Sequence, residues 1–201
     1  MSKIVCTWVI VCFCSTPIYA QRTDQQPASS FLPSWAVKTN VLSDVTGSLN
    51  LGTEFKLSRR LTMNVDMNYN PWSYGSNKKF KHLIFQPELR YWLCEPFYGH
   101  FFGFHLFYSH YNVGGLKMPL GWFPALQRYR YQGDLYGAGL AYGYHKVLSP
   151  RWSLEFSLGV GYAYTDYRKY DCAKCGLERG HEQKHYFAPT KVSVGLVYMI
   201  K

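Results

Sequence analysis

Cys172-Ala173-Lys174-Cys175, followed by His181 and His185, is the grouping in this chain with the most explicit chemistry. Thiolates and imidazoles are the donors that hold zinc in a tetrahedron. The same Cys-x-x-Cys spacing also serves a disulfide or thiol exchange. Five residues separate Cys175 from His181, far fewer than in a zinc finger, and no helix start lies beside the thiols to acidify them. A Cys172 to Cys175 disulfide that stiffens a loop tip is the expected reading, with Cys172, Cys175, His181 and His185 as the metal-binding alternative. A second grouping, Ser109, His110, Asp134 and His181, has the residue types of nucleophilic catalysis. Such a site needs nucleophile, base and orienting group within hydrogen-bond reach, which this spacing does not establish, so no enzyme is expected.

The third grouping is electrostatic. Lys38, Lys56, Arg90 and Lys191, with Glu54, Asp66, Glu88 and Glu155, fall on the polar positions of alternating stretches. Buried charges persist only when paired and hydrogen-bonded. Four of each sign on one side of a sheet therefore read as a salt-bridged plug rather than the wall of a water channel. His105, on the same side, reads as a satisfied interior residue.

A period of two positions these groups. Leu61, Met63, Val65, Met67 and Tyr69 alternate with Thr62, Asn64, Asp66, Asn68 and Asn70, and Leu49 to Leu57 alternate in the same way. Strict alternation at this length signals strand, and no helix is expected. Eight strands are predicted over about 34–42, 49–57, 61–70, 82–93, 99–111, 134–147, 152–166 and 190–200. The connections 58–60, 94–98 and 148–151 are short, 43–48 is intermediate, and 71–81, 112–133 and 167–189 are long. This is the layout of an all-β, eight-stranded antiparallel transmembrane β-barrel with short periplasmic turns and longer extracellular loops. Eight strands leave an interior that side chains can fill.

The two faces carry the distinction from a soluble barrel. Gly137, Gly139, Ala141 and Gly143 on the polar face are too small for a solvated exterior and suit a crowded lumen. Trp35, Tyr91, Tyr142, Tyr144, Trp152 and Tyr198 fall near one interface, and Tyr69, Tyr108, Tyr136 and Tyr164 near the other, as paired aromatic girdles. Pro87 cannot donate to a ladder and predicts a bulge or break in the fourth strand.

Composition sets the compartment. Of 201 residues, 47% are hydrophobic and 18% aromatic, which excludes a disordered chain. Lys3, the apolar stretch Ile4 to Cys14 and a small-residue end at Ala20 read as a cleaved signal peptide over 1–20, followed by a polar leader over 21–33 and the barrel over 34–201. Cleavage leaves three cysteines, Cys94, Cys172 and Cys175, so at least one thiol stays unpaired in an oxidising compartment. The formal charge is +10, or +9 without Lys3. The expected outer loops and their margins hold eleven basic residues against four acidic ones. Such a face suits lipopolysaccharide phosphates, an acidic glycan or a surface protein. No nucleic-acid reading motif is present.

Trp35 to Asn40, Asn70-Pro71-Trp72, Gln86 to Trp92, Asn112-Val113-Gly114-Gly115, Cys172 to Gly176 and Tyr186 to Lys191 together resemble the Bacteroidetes family known as domain of unknown function 3575. The resemblance covers roughly 34–201 and departs at Ala188, where the family pattern has Gly. It implies a small outer-membrane barrel, in some cases associated with fimbrial surface proteins, and assigns no activity. The expected role is a non-enzymatic anchor or accessory protein of the outer membrane, monomeric and without cofactor, with a small-solute pore as the alternative and a rim-sited outer-membrane enzyme as the third reading.

Overall fold

The computed structural model describes residues 33–74, 78–115, 129–171 and 176–200. The expected signal segment, the leader up to residue 32, and Cys172 and Cys175 lie outside them. The alternating stretches form β1 (Trp35–Asn40), β2 (Leu49–Lys56), β3 (Leu61–Asn70), β4 (Ser73–Tyr74), β5 (Lys78–Trp92), β6 (Gly99–Gly114), β7 (Arg130–Val147), β8 (Trp152–Tyr170) and β9 (Glu178–Ile200). One short helix, α1 (Val41–Val45), follows β1. Neighbours in sequence pair antiparallel, β3 pairs with β5 past the two-residue β4, and β9 returns to β1 through Trp35↔Ile200 to Asn40↔Gly195. Eight antiparallel strands thus close one sheet into a ring, which leaves no edge along its lower wall.

Leu57–Arg60, Leu93–Tyr98 and Leu148–Arg151 close one end of the ring, where both ends of the strand system also lie; α1 and the other three connections share the opposite end. We refer to these as the turn end and the loop end. Strand length rises around the ring from 6 residues in β1, through 8, 10, 15, 16, 18 and 19, to 23 in β9. The loop-end rim is therefore a spiral with a step where β9 meets β1.

Two expectations need correction. The long loop predicted over 167–189 is mostly a two-stranded hairpin, with β8 and β9 paired out to Tyr170↔Glu178. From Glu178 to Phe187 nearly every β9 residue is exposed on both faces, so no apolar alternation marked this strand in the sequence. Helix α1 was also unforeseen; the Asn40 side chain caps it by accepting from the Leu42 N–H. Pro87 gives the break expected of it, without a bulge. Gln86 and Pro87 are skipped in the β5 ladder to β6, yet Phe85↔Tyr108 and Glu88↔His105 keep one register. Register shifts lie instead opposite β9, at Gly159/Val160, where Thr190 is the extra residue, and at Lys169/Tyr170.

Alternation sorts side chains by polarity in the reverse of the usual order. On β6, Phe102, Phe104, Leu106 and Tyr108 face outward, while His105 and Ser109 are buried. Leu140 and Leu158 are 67% and 66% exposed, whereas Glu54, Arg90 and Glu155 are at or below 1%. Space inside is made by small residues, since a Cβ at Gly137 or Gly143 would fall against the ring of Phe107 or Phe101.

At the turn end the connection from β5 to β6 folds inward. Phe97 takes a left-handed backbone, φ 64, and its ring is buried against Trp92 and His145. That backbone costs a non-glycine residue about 1–2 kcal/mol, less than or similar to the roughly 1.5–3 kcal/mol from burying a phenylalanine ring. The ring holds the turn in place. Phe97→Ala loses the ring and keeps the strain, while Phe97→Gly loses the ring and relieves it; urea unfolding is expected to show Phe97→Gly as the milder substitution by about 1 kcal/mol.

Candidate functional site: an ion network beneath a polar cavity

Strands from opposite walls deliver charges to the middle of the ring. Arg90 Nη1 on β5 donates to Glu54 Oε2 of β2 and to Glu155 Oε2 of β8, both at 2.7 Å. Its Nη2 donates to Glu155 Oε1 at 2.8 Å and to Glu88 Oε2 at 3.3 Å. The guanidinium also lies 4.4 Å above the centre of the Phe101 ring. Lys38 of β1 donates to Glu54 at 2.5 Å and Glu155 at 3.1 Å. Nearer the loop end, Lys191 of β9 bonds Glu88 and, at 3.2 Å, Asp66. Seven of the eight charges singled out in the sequence therefore meet in one connected set. The eighth, Lys56, is half-buried at the end of β2 and makes no ion pair among the described residues.

Neutral side chains complete the network. Thr62 donates to Glu54 Oε1 at 2.5 Å and accepts from Trp92 Nε1 at 2.9 Å, which ties the ions to the aromatic floor of Trp92, Phe97 and Phe101. Asn64 donates to Asp66 at 2.6 Å. His105 bonds the hydroxyl of Thr190 through Nε2 at 2.8 Å, and its Nδ1 has no partner. The buried His145 stands 3.7 Å from Glu155 and edge-on to Trp92. Sequence reading missed His145, although it continues the inward parity of Gly137, Gly139, Ala141 and Gly143. Nothing in the sequence marks Thr190, which faces His105 only because of the bulge.

The two catalytic-looking groupings come apart. Ser109 is buried inside the ring, whereas the next residue, His110, points outward and bonds Asp134 at 2.8 Å. His181 bonds Asp166 instead, and this bond holds the Asp166 carboxyl below its ordinary pKa. Of the metal alternative, His185 bonds the Tyr162 hydroxyl at 2.5 Å, and Cys172 and Cys175 lie outside the described residues. Cys94 is an exposed free thiol in a turn at the opposite end. The basic loop face is locally engaged where it is described: Arg179 pairs with Asp171 at 2.6 Å, Lys184 with Glu182 at 2.9 Å and Arg168 with Glu178 at 3.9 Å. Bonds from Lys184 and Tyr167 hold Glu182 below the usual carboxylate range.

Arg90 is the member whose loss orphans most. Arg90→Met leaves three buried carboxylates short of a partner and is expected to cost about 3–5 kcal/mol in urea unfolding. Lys56→Met, outside the network, is expected to stay within about 0.5 kcal/mol. Equal effects would mean that the network does not hold the fold.

No curated protein and no solved structure matches this chain. The family described as "Protein of unknown function (DUF3575)" matches it over residues 6–200, which include every strand and every charge of the network. The chain belongs to the DUF3575 family.

Proposed function

We propose that this chain is an outer-membrane β-barrel, closed to conduction, that acts as a non-enzymatic anchor or accessory protein and holds its hairpin and loops at the cell surface. One observation carries the reading: the ring is apolar outside and ionic inside, with the apolar band bounded by two aromatic rows. Tyr108, Tyr136 and Tyr164 are register neighbours on three successive strands toward the loop end. Phe102 beside Tyr142, His100 beside Tyr144, and Trp152 beside Tyr198 form the row toward the turn end. Tyr136 and Tyr144 are eight residues apart on β7, roughly 27 Å along the strand and about 21 Å when tilted by about 40°, close to the roughly 25 Å apolar band of such barrels. Leu140, exposed between them, would face lipid.

The turn end would face the periplasm and the loop end the exterior. The aromatic floor and the Arg90 network support a sealed lumen, since no wide aqueous path runs past side chains bonded wall to wall. The β8–β9 hairpin would extend beyond the outer headgroups and meet lipopolysaccharide, an acidic glycan or a surface protein. A tilted strand needs 9 to 11 residues to cross, and β9 has 23.

Fractionation and conductance test this together. The chain is expected in the outer-membrane fraction, to migrate differently before and after heating in SDS, and to give no steady current in planar bilayers. Stable open currents would replace the sealed anchor with a pore. A soluble monomer formed without detergent would overturn the membrane reading itself.

A further inference from the structure

Above the Arg90 layer the ring is not filled. A cavity of about 210 Å³ lies between Asp66 and Gln86 on one side and Lys191 and Ser193 on the other. At roughly 30 Å³ per water it has room for about seven waters, or for one solute of hexose size. It reaches the wall where β1 stops, with Asn40 and Ser43 lining it near Val192.

The polar groups around it are incompletely used. Asp66 Oδ2 accepts from Asn64 and Lys191, while Asp66 Oδ1 has no partner among the described residues. The buried amide nitrogen of Gln86 has none either, nor has the half-buried hydroxyl of Ser193 among the described residues. Lys38 and Lys191 each direct two ammonium hydrogens to carboxylates and keep a third. A buried donor left unmet, as the Gln86 amide nitrogen is, costs about 1–3 kcal/mol, so a solute that meets it while bonding the neighbouring free groups is stabilised there.

The charges that line the cavity cancel, Lys38 and Lys191 against Asp66 and Glu155. A net-charged solute would add a charge that this balanced set leaves uncompensated. A zwitterion would bring two full charges out of water at several kcal/mol each, a cost that hydroxyl groups do not carry. Hydroxyl groups donate and accept from one atom, so they serve the Asp66 oxygen and the ammonium hydrogens without disturbing either pair. Phe107 gives one flat apolar wall for the C–H face of such a molecule. We infer that this cavity is a binding site for a small uncharged polyol of hexose size.

The test is equilibrium dialysis of labelled glucose, galactose and myo-inositol against the protein refolded in lauryldimethylamine oxide, a detergent without a sugar headgroup. Saturable binding of at least one is expected. Gln86→Leu and Asp66→Asn are each expected to weaken it about tenfold, with the unheated gel mobility of the folded form unchanged. The Gln86 side chain makes no hydrogen bond among the described residues, so its variant remains informative if Asp66→Asn does not refold. Absence of saturable binding to the folded wild type, undiminished binding by Gln86→Leu, or preference for serine or inorganic phosphate would each overturn the site. None of these results bears on the membrane reading, which fractionation and conductance decide separately.

Discussion

A single guanidinium joins the walls of this ring. Arg90 bonds carboxylates from β2, β5 and β8, and through them Lys38 and Lys191 bring in β1 and β9. A planar group with five donors in a fixed fork can meet several carboxylates at once, which a lysine ammonium on a flexible stem cannot do with the same geometry. Removing such charges from water costs several kcal/mol per ion, and only simultaneous pairing and hydrogen bonding offset that cost. The network is therefore cooperative: each strand must be in register for the others' charges to be met. A slip of one residue in β2 or β8 would turn Glu54 or Glu155 to the apolar exterior.

Crowding follows from the same constraint. Arg90 and the rings of Phe101 and Phe107 occupy the middle of a small ring, so the facing positions on β7 are Gly137 and Gly143. On β6, Gly103 leaves room for the Glu88 carboxylate. Small residues on the inside and large aromatic ones on the outside are thus two results of one geometry, in which volume is scarce within the ring and unlimited beyond it.

Much of this was legible in the sequence, because the strands whose two faces meet different surroundings carry that difference as alternation. Leu61 to Asn70 and Trp152 to Thr165 are placed by period alone, and the charges on their polar positions could be assigned to one side. The DUF3575 resemblance read from dispersed motifs agrees with the family match. The upper parts of β8 and β9 were not legible, since Arg168 to Tyr170 and Glu178 to Gln183 have solvent on both sides and no reason to alternate. The cavity was equally hidden. Asp66 and Gln86 are register partners on neighbouring strands, but Ser193 is far from both in sequence, and only the ring's closure sets the space between them.

The spiral rim bears on how the chain folds. Strands β5 to β9 are long and each pairs with its sequence neighbour, so their hairpins close at low loop entropy and can form early. The β1–β9 seam joins residues 35 and 200 through only six pairs and is the most distant in sequence. Where β1 ends, the Asn40 carboxamide takes over: it accepts from the Val194 N–H at 3.1 Å and donates to the Val192 carbonyl at 3.4 Å, as one further rung would. Closure is then a late event, completed by one side chain that imitates a peptide group.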